Sequence, residues 1–136
     1  MPYMKTRGFT LIELLVVIAI IGLLASIVVA SLSSVQTRAR DARRIEDVDQ
    51  LRKALALYAA DFGLYPVAAQ AEVLTSDSGV GAALVSSGAF SVIPTDPGTY
   101  DYTYQSANGS IYTISFCLET DAIMNFSQGC DNAISP

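Results

Sequence analysis

Few residues in this chain could carry chemistry. The 136 residues include no histidine, so neither a Ser-His nor a Cys-His pair can form, and an imidazole metal site is excluded. Carboxylates and two cysteines, Cys117 and Cys130, remain. Asp96 and Asp101 lie near one another, and Glu119, Asp121 and Asp131 gather towards the C-terminus. Grouped carboxylates suit acid–base work or cation binding. The spacing here matches no ligand pattern, so these acids read as solvated loops and no metal ligand is assigned. One carboxylate stands apart. Glu13 follows Thr10-Leu11-Ile12 and precedes an apolar run, the spacing of a capping box in which Thr10 is the N-cap and Glu13 reaches back. An acid in the first turn also suits the helix dipole.

The element that positions Glu13 is long. Residues 14–37 carry no charge, and as a helix they span about 36 Å. A bilayer core is about 30 Å thick. A charge at midspan costs about 3 kcal/mol and less near an end, so a glutamate at the lip of such a segment needs a reason. The helical period continues from Arg38 to Phe62 through Ile45, Val48, Leu51 or Arg52, Leu55, Tyr58 and Phe62. No proline lies between Pro2 and Pro66. One helix is therefore expected from about Thr10 to Asp61, with Gly63 as C-cap. Its charges are placed for local pairing: Arg43 with Asp47, Asp49 with Lys53, Arg38 with Asp41, and Asp49 with Arg52. The cluster Arg38, Arg40, Arg43 and Arg44 reads as a solvated, ion-paired neck.

Beyond the helix, residues 75–79 read as a loop, residues 80–85 as a short helix ended by Gly88, and residues 93–98 as a turn-rich link with two prolines. Tyr100, Tyr102 and Tyr104 alternate with polar residues, as do Tyr112, Ile114, Phe116 and Leu118. The Asn108-Gly109 pair between them is a strong hairpin signal. Residues 123–126 are expected as a third strand. Such a sheet has one apolar face, and the stripe from Ile45 to Phe62 is the long amphipathic partner available to cover it. The fold class expected is α+β.

Lys5-Thr6-Arg7-Gly8, then Phe9-Thr10-Leu11-Ile12-Glu13-Leu14, then an unbroken apolar run, resembles the N-terminus of type IV prepilins and type II secretion pseudopilins. The similarity is close over residues 5–66 and looser beyond. Tyr65-Pro66 and Pro94-Thr95-Asp96-Pro97 are similar to segments of major pseudopilins. The resemblance implies a pilin fold and a prepilin peptidase that cleaves between Gly8 and Phe9 and N-methylates Phe9. It implies that Glu13 serves filament assembly, meeting the Phe9 amine of a neighbouring subunit. The organisation implied is a cleaved leader (1–8), a membrane and filament-core half-helix (9–35), an amphipathic half-helix (36–63), a connecting region (64–99) and a sheet with a C-terminal disulfide loop (100–136). The disulfide, Cys117 to Cys130, follows type IV pilins and requires a domain outside the cytoplasm; inside it, two free thiols are expected. The bond closes 14 residues, worth about 3 kcal/mol. Major pseudopilins bind calcium in a C-terminal loop, but no ligands can be carried onto this sequence, and no other cofactor is expected. Many family helices carry a proline late in the apolar run; residues 27–33 here have none.

The implied function is that of a structural subunit of a type IV pilus-like or type II secretion filament, not an enzyme. Its partners are further copies of itself, prepilin peptidase, an inner-membrane assembly platform and membrane lipid. Its location is a single pass in the inner membrane with the C-terminal domain outside. Net charge is −5, and removal of the leader leaves 6 basic against 13 acidic residues, or −7. From Ala54 onward there are eight acids and no Lys or Arg, which argues against nucleic acid as a partner. Two other readings stay open. Residues 1–30 could be a secretory signal cut after Val28-Val29-Ala30, or the chain could be a single-span anchored interaction domain that never polymerises. A positive-inside count, two basic residues before the apolar run and four arginines after it, points against the orientation that the resemblance implies.

Overall fold

Uninterrupted helical periodicity gives an uninterrupted helix. In the computed structural model, which describes residues 8–136, α1 runs from Leu11 to Phe62. Lys5, Arg7 and most of the expected leader lie outside the described residues. Gly63 ends the helix at φ 80°, its N–H donating to the Ala59 carbonyl at 2.8 Å, as a left-handed C-cap does. The chain divides into two units, residues up to Gln36 and Thr37–Pro136.

The first unit is the apolar part of α1. Its large side chains are exposed, Leu11 at 87%, Leu23 at 66% and Val29 at 68%. A contiguous apolar surface of this kind marks a membrane or partner-binding element. Its serines turn back on their own helix: the Ser26 and Ser31 hydroxyls donate to the carbonyls of Leu23 (2.7 Å) and Ile27 (3.2 Å). That geometry satisfies hydroxyls where water is absent. Among the described residues, α1 is the one helix long and apolar enough to cross a membrane.

In the second unit the remainder of α1 is joined by β1 (Ala68–Val73), α2 (Gly79–Ser86), β2 (Thr103–Ser106), β3 (Thr113–Leu118) and β4 (Gly129–Ile134). The sheet is antiparallel in the order β1-β2-β3-β4. Val48, Leu51 and Leu55 of α1 pack with Tyr102, Tyr104, Tyr112, Ile114, Phe116 and Leu118, and Leu74, Val80, Leu84 and Ile93 close the core. Helix on antiparallel sheet is thus the observed packing, and the class is α+β. Leu51, not Arg52, faces the sheet. The buried tyrosines keep their hydroxyls satisfied: Tyr104 donates to the Pro66 carbonyl at 2.7 Å and Tyr102 to Asp47 Oδ2 at 2.9 Å.

Two expectations about strands are corrected, and β1 adds a strand that no local signal announces. Residues 123–126 form a turn, with Asn125 in the left-handed region at φ 71°, and the last strand lies further on at β4. The Cys117–Cys130 bond and the pairing of Ile114 with Ile134 set β4 against β3 instead. β1 is an edge strand whose composition, Ala-Ala-Gln-Ala-Glu-Val, carries almost no strand propensity. It is held by pairing with β2 across a register irregularity between Ala68 and Glu72. Tyr100 and Tyr102 precede β2, which begins at Thr103. The expected short helix is α2, N-capped by the Ser78 hydroxyl on the Gly81 amide at 3.1 Å and followed by Gly88 at φ 75°.

Candidate functional site

The start of α1 is built by the Thr10 and Glu13 pair. The Glu13 carboxylate accepts the Thr10 amide at 2.9 Å and the Thr10 hydroxyl at 2.8 Å, both on Oε2, and the Glu13 amide donates to the Thr10 hydroxyl at 3.3 Å. This is the reciprocal capping box that the spacing predicts. Gly8 and Phe9 lie just before it, outside the helix and exposed, Phe9 at 78%. The cap uses one oxygen of Glu13 and leaves Oε1 outside its geometry. The three residues singled out by the motif therefore sit together at one exposed helix start.

Two of the four arginines after the apolar run, Arg40 and Arg44, are drawn into the domain, while Arg38 and Arg43 stay exposed as the expected neck would have them. Arg44 is fully buried. Its Nε and Nη2 make a forked pair with Asp96 at 2.6 and 2.9 Å, and its Nη1 reaches Asp41 Oδ1 and Glu119 Oε1, each at 2.8 Å. Arg40 holds Glu119 through Nε at 2.8 Å and through Nη2 on the other oxygen. Asp41, also fully buried, accepts the Glu119 amide (2.8 Å), the Thr120 amide (2.9 Å) and the Thr120 hydroxyl (2.7 Å). Asp96 further accepts the amides of Gly98 (2.7 Å) and Tyr100 (3.3 Å), and the Tyr100 ring lies 5.1 Å from the Arg44 guanidinium carbon. A side chain at Gly98 would sit 2.7 Å from Arg44 Nη2, so the loop approaches the guanidinium as closely as glycine allows. Arg44 thus pins the start of the amphipathic half-helix to the residue 96–100 loop and to the end of β3.

The electrostatics follow from these contacts. Bonds to Arg40 and Arg44 lower the Glu119 carboxyl to about 2. Burial alone would raise Asp96, but Arg44 and the Gly98 amide hold it below the usual carboxylate range. Asp47 moves the other way, raised by burial despite the Tyr102 hydroxyl. Of the expected local pairs, Asp49 with Arg52 and with Lys53 form, both at 2.6 Å. Asp41 instead engages Arg44 and the β3 end, and Asp47 engages Tyr102, because both face inward rather than along the exposed helix surface. A signal for this was present: counting back from Val48 and Leu51 in steps of three and four reaches Arg44 and Asp41, on the core face. The remote partners, Asp96 and Glu119, carried no such mark.

The C-terminal loop is closed covalently by Cys117–Cys130. Asn132 donates to the carbonyls of Ser127 (2.8 Å) and Gly129 (3.0 Å) and accepts the Ser127 amide (3.0 Å), and Asp121 accepts the Gln128 amide (2.6 Å). Asp96 and Glu119, expected as solvated acids, are engaged by arginine, while Asp101, Asp121 and Asp131 are exposed. Among the described residues no group of three or more acidic, Cys or His side chains is placed to hold a metal ion.

A long helix, apolar in its first half and laid by its second half on a small antiparallel sheet, with a capped glutamate beside a Gly-Phe step, defines a pilin-like protein. Residues 3–29 match the prokaryotic N-terminal methylation motif, and residues 31–121 match the model of type II secretion system protein G. The chain is 33% identical over 113 residues to type II secretion system core protein G of Vibrio cholerae, covering 75% of this chain and 72% of that protein. It is 44% identical over 66 residues to the protein of the same name from Escherichia coli, and 42% over 62 residues to that of Pectobacterium carotovorum. Those two matches span about half of this chain, and 46% and 40% of the relatives. No solved structure matches the chain. The chain belongs to the type II secretion system protein G family, the pseudopilins.

Proposed function

We propose that this chain is a structural subunit of a type II secretion pseudopilus, processed by prepilin peptidase and assembled through the first half of α1. The observation that carries the reading is the start of α1: an exposed Gly8-Phe9 step, a glutamate held by Thr10, and a membrane-length helix with exposed apolar side chains. Cleavage after Gly8 leaves Phe9 as the N-terminus, to be methylated. Its amine, with a reference pKa of about 8, is charged at neutral pH. In a staggered filament that amine meets Glu13 of a neighbouring subunit, while an inner-membrane platform draws subunits out of the lipid.

The domain from Thr37 onward lies outside the cytoplasm in this reading, and the disulfide supports that side. The positive-inside count still points the other way, because it counts Lys and Arg beside the span and not net charge. Arg40 and Arg44 pair with Glu119, Asp41 and Asp96 once the domain is folded, while Arg38 and Arg43 stay exposed. The test is N-terminal sequencing and intact mass of the protein from membranes and from sheared filaments. N-methyl-Phe9 in both fractions is expected. A chain starting at Ser31, or an uncut chain in filaments, would refute the reading.

A further inference from the structure

The C-terminal loop of this chain carries an inference of its own, independent of the assembly reading. Around its entry, donors point inward: the backbone amides of Glu119 and Thr120 and the Thr120 side-chain hydroxyl all converge on Asp41, which α1 delivers from 78 and 79 residues away. A cation needs oxygens aimed at one centre; this turn aims N–H and O–H groups at an anion. The carboxylate nearest in the chain, Glu119, is taken on both oxygens by the guanidinium groups of Arg40 and Arg44. A divalent ion placed there would face two fixed positive charges and would have to displace them. Further along, Asp121 accepts the Gln128 amide, Asn132 ties Ser127 and Gly129, and Cys117–Cys130 closes the span.

We propose that the loop from Glu119 to Asp131 closes without a divalent cation, and that Asp41 is the internal anion on which it folds. The loop is thereby fixed to α1 rather than to a bound ion, and the domain keeps its shape where calcium is scarce. Asp41 is a positioning residue in this account: it acts through the backbone of Glu119 and Thr120.

The test uses the full chain in detergent with its disulfide intact. Equilibrium dialysis against radioactive calcium, and thermal unfolding in chelator and in millimolar calcium chloride, are read side by side. No saturable binding is expected, with midpoints equal within about 1 °C, far below the shift of roughly 4–8 °C that each kcal/mol produces in a domain of this size. Asp41→Asn keeps the side-chain shape but weakens the acceptor. Its midpoint should fall by at least about 5 °C, by the same amount with and without calcium. One calcium bound per chain with a raised midpoint overturns the proposal, as does an Asp41→Asn variant that melts with the parent. The calcium measurements on the parent decide the matter even if that variant does not fold.

Discussion

At the scale of single residues, the unusual feature is a fully buried arginine among three carboxylates. Removing one partner from such a set leaves buried charge uncompensated, typically at 3–5 kcal/mol. Arg44→Ala should therefore lower the unfolding free energy from urea titration by that order, and Arg44→Lys should recover only part of it, since an ammonium cannot make the forked pair with Asp96. Full recovery in the lysine variant would contradict the role of the fork. The same cluster sets the acid limb of stability. Glu119 is lowered to about 2 and Asp96 lies below its usual value, so their contribution is present above the normal carboxylate range, about 4, and is lost as pH falls through the folded values. Asp47, raised by burial, has the opposite sign: taking up its proton favours the fold. Melting temperatures should fall steeply from about pH 4.5 to about 2, and Glu119→Gln should flatten that slope. An unchanged slope would show that Glu119 does not carry it. Asp41 and Arg44 were within reach of a helical count from Val48. Their partners were not, because pairing across 52 and 78 residues leaves no periodic trace in a chain.

At the scale of elements, α1, α2 and the β2–β3 hairpin follow from signals that are local: period, caps, and Asn108-Gly109 with Gly109 at φ 76°. β1 and β4 do not. An alanine-rich edge strand and a strand reading Gly-Cys-Asp-Asn-Ala-Ile have neither alternation nor propensity, and exist because β2 and β3 offer them a ladder. The disulfide does for β4 what side-chain pattern does for β3. Cys117→Ser with Cys130→Ser should cost about 3 kcal/mol in the chain-entropy model, read as a shift in the denaturant midpoint. A loss under about 0.5 kcal/mol would mean that Asn132 and the ladder suffice. The choice between Leu51 and Arg52 as the core-facing residue can be measured in the same way. Leu51→Ala should cost roughly 2–5 kcal/mol, and Arg52→Ala within about 0.5 kcal/mol.

At the scale of the whole molecule, one helix serves two surroundings. From Thr37 it has a sheet to cover; before Gln36 its apolar side chains are exposed in the isolated chain and call for lipid or for other helices. Exchange of lipid for a helix bundle gains little from the hydrophobic effect, so packing and polar pairing must choose the arrangement. Glu13 is the one charged side chain between Gly8 and Thr37, and it already has a local role on Thr10. The two roles separate in a single comparison. Gln at position 13 can still accept the Thr10 amide and hydroxyl, but it cannot form an ion pair with an amine. The measurement is filament yield in sheared fractions for the parent, Glu13→Gln and Glu13→Ala, beside the level of cleaved subunit in membranes. The account predicts normal cleavage and membrane levels in all three and a severe loss of filaments in both variants. Normal filaments from Glu13→Gln would contradict it and leave Glu13 as a helix cap alone.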